Sequence, residues 1–105
     1  APMGVAFDGN AVWVANSGSN NVSKYDPPTG THHEYPVGAG PFGVVFDGHH
    51  VYVSNIDDQS VSKIDPFSGT RVDYPNFAAP HGMVYDGTSI WVTMSTVNFV
   101  RRISP

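Results

Sequence analysis

Apolar residues in this chain come in short runs, and Gly, Pro, Asp and Asn punctuate the gaps between them. Residues 5–7 are apolar at every position, which predicts a strand buried on both faces. Asp8-Gly9 follows as a turn, because Gly tolerates positive φ and Asp bonds its own backbone. Residues 12–15, rich in β-branched and aromatic side chains, predict a second strand. Ser17-Gly18-Ser19-Asn20 is a loop. Residues 22–25 alternate more and predict a half-exposed third strand. Asp26-Pro27-Pro28-Thr29-Gly30 is a second turn, and residues 31–35 form a polar fourth strand suited to an outer edge. Apolar character falls from the first strand (A) to the fourth (D), and no helical period is visible.

The same order then repeats. Residues 2–40, 41–79 and 80–105 align without a gap at a period of 39. Pro2-Met3-Gly4 matches Pro41-Phe42-Gly43 and Pro80-His81-Gly82. Phe7-Asp8-Gly9 matches Phe46-Asp47-Gly48 and Tyr85-Asp86-Gly87. Val12-Trp13-Val14 matches Val51-Tyr52-Val53 and Ile90-Trp91-Val92. The first two copies share 19 of 39 positions. The third copy stops after its strand C. A period of about 40 residues with four strands per unit is that of a β-propeller, whose inner strands pack near a channel and whose outer strands face water. The fold class expected is therefore all-β: an arc of four-stranded antiparallel blades, two full and a third lacking its outer strand, within a single segment, 1–105.

The pattern P-x-G-V-x-F-D-G-x-x-V-W-V-x-N…V-S-K-x-D-P-x-[ST]-G-T resembles the repeats of virginiamycin B lyase-like and YVTN/NHL-type bacterial propellers. Residues 2–31 and 41–70 carry it almost whole. The third copy departs from it at Met94, Arg101 and Ser104. The resemblance implies a closed ring, often of six or seven blades, and a secreted or cell-surface bacterial setting. It is weak for function, since such repeats serve lyases, binding modules and surface proteins alike.

Composition narrows the partners. Hydrophobic residues make up 40% and charged residues 13%, so the chain is not a disordered tail. The net charge is −4 with only five Lys+Arg, which leaves no basic patch for nucleic acid. No apolar run is long enough to cross a bilayer as a helix. The sequence opens on Ala1-Pro2, and no signal-peptide pattern is expected within it. Cysteine is absent, which excludes thiol chemistry and disulfides without fixing the compartment.

An arc of blades exposes two apolar faces, and something must cover them. Either the chain is a segment of a longer propeller, or copies close the ring between them. A dimer gives six blades; a trimer gives nine, above the usual range of about 4–8. The dimer is the first expectation, and a neighbour could also add the missing strand at the edge.

Strand direction alternates, so the Asp-Gly and Asp-Pro-x-x-Gly turns share one face. The B–C loops and D–A connections share the other. The copies diverge on that second face, which makes it the candidate ligand face: Met3, Phe42 and His81 where the inner strands begin, with Asp57, Asp58 and Asn98 in the loops. Free drift of surface loops explains the same divergence. In lyase-like propellers the site lies at a channel mouth and uses histidines with a metal, so the resemblance implies His81 as a catalytic candidate. Its partners would have to come from other blades, since the one glutamate, Glu34, sits on an outer strand. Asp57-Asp58, with Asn55 and Gln59, could hold Mg or Ca through oxygen ligands, although a solvated acidic loop is the simpler reading. No cofactor is otherwise expected. His32-His33 and His49-His50 read as surface pairs. Trp13, Tyr52 and Trp91 read as core between blades, and Arg101-Arg102 as a solvated strand face. The first functional expectation is a non-enzymatic scaffold or binding module. A lyase-like metal enzyme and a carbohydrate-binding surface domain are the alternatives.

Overall fold

A computed structural model describes residues 2–97 and 99–104. Among these, eleven strands form three antiparallel sheets, and no helix is present. The first sheet holds β1 (Pro2–Phe7), β2 (Val12–Asn16), β3 (Asn21–Tyr25) and β4 (His32–Pro36) in chain order. The second holds β5 (Pro41–Phe46), β6 (Val51–Asn55), β7 (Ser60–Ile64) and β8 (Arg71–Tyr74). The third holds β9 (Pro80–Tyr85), β10 (Ile90–Met94) and β11 (Phe99–Ile103). Strands β1, β5 and β9 pack side by side, while β4, β8 and β11 are the outer edges. This is an open β-propeller arc, with the three-stranded third blade that the repeat predicts.

Two features of each blade follow from its sequence. The first is the A–B turn. Gly9, Gly48 and Gly87 all sit at φ between 96° and 99°, where a side chain would strain the backbone. The second is a register shift in the inner strand. Pro2 faces Asn16 but Val5 faces Val14, and β5 and β9 shift at the same repeat position. A bulge of this kind bends the strand and re-aims the side chain at its tip, here Met3, Phe42 and His81.

The core lies between blades. Trp13, Ala15, Val22 and Val37 of blade 1 pack on Val51, Val53 and Ile64 of blade 2. Tyr52, Val61 and Phe77 of blade 2 pack on Ile90, Val92 and Ile103 of blade 3. Every blade thus has a forward and a backward face, and alternate residues of each strand supply them.

Burial does not follow the fall in apolar character from strand A to strand D. The most buried strands are β6 and β7, not β5. Val5 and Phe7, expected to be buried on both faces, are exposed, as is Val84 of blade 3. An inner strand borders the channel, and in an arc the end blades lack one neighbour. Strand B, in the middle of the sheet, is therefore covered best.

Candidate functional site

On the divergent face the structure brings Phe42 and His81 together. Their rings meet edge-on, with centroids 5.0 Å apart and planes 61° apart. The His81 Nδ1 lies 2.9 Å from the Ala79 carbonyl. As donor to that carbonyl, Nδ1 carries the proton and leaves Nε2 as the acceptor nitrogen. Ala79 itself holds φ of 45°, while the matching position of the first repeat is Gly40 at 70°. Met3 stands at the same repeat position as Phe42 and His81 and is exposed.

Asp57 and Asp58, in the loop between β6 and β7, are both exposed and rest against the connection from blade 1. Their backbone N–H groups donate to the Ala39 carbonyl at 3.1 and 3.3 Å. The Asp57 carboxylate abuts Gly40, whereas the Asp58 carboxylate abuts Gly38 beside the amide of Asn55. The two carboxylates thus turn to different glycines. Among the described residues no group of three or more His, Asp or Glu side chains converges as metal ligands. Asn98 lies outside the described residues. Glu34 is on the exterior strand β4, within 3.5 Å of the Ser23 hydroxyl and 3.2 Å of His32.

The turn face carries chemistry that turn composition alone did not announce. In each blade the turn aspartate accepts two backbone N–H bonds and one bond from the aromatic residue five positions on. Asp8 takes them from Asn10 (2.8 Å), Ala11 (2.7 Å) and Trp13 Nε1 (2.8 Å). Asp47 takes them from His49, His50 and the Tyr52 hydroxyl (3.1 Å). Asp86 takes them from Thr88, Ser89 and Trp91 Nε1 (2.7 Å). The signal for this clamp was present as D-G-x-x-[VI]-[WY] in all three copies. The Trp91 bond and the two backbone bonds hold the Asp86 carboxyl down at about 2. Burial opposes ionisation of Asp8, but the Trp13, Ala11 and Asn10 donors and nearby Lys24 outweigh it and lower its pKa. At Asp47 burial is again outweighed, by the His50 and His49 amides and the Tyr52 hydroxyl. Burial, with the Asp47 charge beside it, pushes the Tyr52 phenol up in turn.

Two clefts open on this turn face. One of about 320 Å³ is lined by Asn10, Lys24, Asp26 and His33 among others. The second, of about 270 Å³, lies between blades 1 and 2 and is lined by Asp8, His49 and Phe67 among others. Lys24 spans the blade boundary: its Nζ donates to the Pro66 carbonyl at 2.6 Å and lies over the rings of Trp13 and Phe67.

The end faces are the third candidate. The backward face of blade 1 exposes Val5, Phe7 and Tyr25, and the forward face of blade 3 exposes Val84, Trp91 and Val100. Arg101 and Arg102, expected to lie on a solvated face, are exposed, and each guanidinium also covers a ring: Arg101 that of Phe77 and Arg102 that of Trp91.

Neither a family model nor a curated protein matches the chain. Solved structures do. A streptogramin B lyase structure aligns with 98% of this chain at a TM-score of 0.73 and 20% identity. The computationally designed Ika4 protein aligns with 99% of it, and with 91% of its own length, at a TM-score of 0.55 and 11% identity. The designed Ika8 protein aligns with the whole chain at a TM-score of 0.54 and 11% identity. The chain spans about 40% of the length of the lyase structure. At these identities the likeness is one of fold. It bears out the lyase-like propeller resemblance read from the repeats at that level.

Proposed function

We propose that this chain is a non-enzymatic propeller scaffold whose arc closes into a six-bladed ring by head-to-tail association of two copies, with the Met3, Phe42 and His81 ends of its inner strands around the channel mouth. One observation carries the reading: the two uncovered faces are apolar, and their positions on strands A to C match those of the covered interfaces, while Val37 and Phe77, which follow strand D in the covered ones, have no counterpart in residues 80–105. Val5, Phe7 and Val12 occupy the repeat positions of Val44, Phe46 and Val51, which pack on blade 1. Val84, Trp91 and Val100 occupy those of Val45, Tyr52 and Val61, which pack on blade 3. Apolar patches of this kind mark association surfaces, and a heterologous contact that closes gives a ring. Light scattering on a sizing column tests it: a mass of twice 11.3 kDa is expected. A folded monomer, or an aggregate without defined size, would reject self-closure.

A second reading rests on the likeness to the streptogramin B lyase structure and on the His81 tautomer set by Ala79. In it, His81 Nε2 contributes to a lyase site completed by residues of other blades. Turnover of streptogramin B that disappears in His81→Ala, with the β-sheet circular dichroism unchanged, would establish it. Absence of turnover in the assembled ring would dismiss it.

A further inference from the structure

The small residues at the inner strand tips show how neighbouring blades lock. At Gly43 an added Cβ would lie 2.6 Å from the His81 carbonyl of the next blade, and at Gly4 it would run into the Phe42 carbonyl. Both glycines are therefore seats for the carbonyl at the strand tip of the following blade. At the blade 2–3 boundary a hydroxyl completes the lock. Ser54 Oγ accepts from Gly43 N–H at 2.8 Å and donates to the His81 carbonyl at 2.7 Å.

The third blade carries the same lock without its occupant. Thr93, at the repeat position of Ser54, accepts from Gly82 N–H at 2.9 Å, and its hydroxyl turns back on the Gly82 carbonyl at 3.3 Å. An added Cβ at Gly82 would meet only Thr93 Oγ1, at an ordinary 3.4 Å. A third feature matches. Lys24 lies over Trp13 and donates to the Pro66 carbonyl in the next blade. Arg102, at the repeat position of Lys24, lies over Trp91 with its guanidinium 6.0 Å from the ring centre.

We infer that the forward face of blade 3 docks the backward face of blade 1 of a second copy in one defined register, with Gly82 seating the Met3 carbonyl, the Thr93 hydroxyl donating to it, and Arg102 donating to the Pro27 carbonyl. This rests on the ring-closure reading and gives that interface its atoms. The occupant is a second copy because this docking continues the two interfaces already formed within the chain. Met3 and Pro27 stand at the repeat positions of His81 and Pro66, which fill the corresponding roles there.

Gly82→Ala is the discriminating variant. The single chain accommodates the methyl group, but the docked carbonyl would not. Its dimer dissociation constant should rise at least tenfold, with the circular dichroism and unfolding of the dissociated chain unchanged. The cysteine-free background gives a second measurement independent of that variant. The Phe42–His81 ring contact implies that Met3 of one copy meets His81 of the other. Mixed Met3→Cys and His81→Cys chains should therefore oxidise to a cross-linked dimer, while neither chain does so alone. A wild-type dimer whose affinity is untouched by Gly82→Ala, or whose mixed cysteine chains fail to cross-link, would overturn the register and leave self-association standing. A wild-type monomer would overturn both.

Discussion

Tyr52 and Trp91 occupy the same position of the repeat, make the same bond to a turn aspartate, and lie in completely different surroundings. Tyr52 is fully buried, as is Trp13 one blade earlier, whereas Trp91 is 37% exposed. Blade 2 is covered on both faces, and β6 is buried from end to end; in β10 burial alternates with exposure. The less buried strand is the more apolar of the two, with Met94 where β6 has Asn55. What differs is whether a neighbouring sheet stands opposite them. Burial in such an arc is a property of the stack, so the end blades are less stable by their position rather than by their composition.

Truncating the aromatic residue of each blade should have the largest effect. Trp13→Ala should cost about 3–5 kcal/mol, because it empties a fully packed site between blades 1 and 2. Trp91→Ala should cost the isolated chain far less. If a second copy covers blade 3, the gap should narrow as protein concentration rises. Urea unfolding of both variants at two concentrations measures this, and equal losses at high dilution would refute the contrast.

Next in size is the clamp. Asp47→Ala strands a buried tyrosine hydroxyl and should cost about 1–3 kcal/mol in the same urea assay. Asp86→Ala, at an exposed turn, should lower stability less than Asp47→Ala.

The same clamp sets an acid limit. The carboxyls of Asp8, Asp47 and Asp86 lie below their ordinary range in the folded chain. A depressed folded pKa means stability that is present above the unfolded value of roughly 4 and lost as pH falls through the folded one, about 2 for Asp86. Tm should therefore hold from pH 7 to about 5 and fall between about 4 and 2. A Tm independent of pH over that interval would contradict the clamp.

The smallest effect expected is a gain. Ala79 holds a left-handed backbone at the repeat position where Gly40 stands. Ala79→Gly should stabilise the chain by about 0.5–1 kcal/mol, net of the added chain entropy. Calorimetry of Ala79→Gly beside Gly40→Ala tests the pair; the second should lose more than the first gains, because its Cβ would also run into the Asp57 carboxylate, 2.6 Å away.

Much of this was legible in the residues. The turns, the strand order and the three-stranded third blade follow from Asp-Gly and Asp-Pro signals spaced at one period. Recurrence within an apolar strand placed Trp13, Tyr52 and Trp91 in the core between blades; Trp13 and Tyr52 are buried there, but Trp91 is exposed because no sheet stands opposite it. The clamp was visible as a recurring spacing, but its bonding needed the geometry of the turn. The carbonyl seats at Gly4 and Gly43 were hidden, because Pro-x-Gly reads as a simple strand opening until the next blade is laid beside it. For Asp57 and Asp58, adjacency in the chain gave no hint that their carboxylates turn to different glycines.

The blade is encoded locally. Its strands pair with chain neighbours across short turns, so the information needed lies within one 39-residue repeat. Which copies of that blade are buried, where the clefts open and which glycines are occupied came only from the packing of one blade on the next. Those outcomes depend on contacts between sheets about one repeat apart, and a repeat read alone looks the same whether or not its neighbour is there.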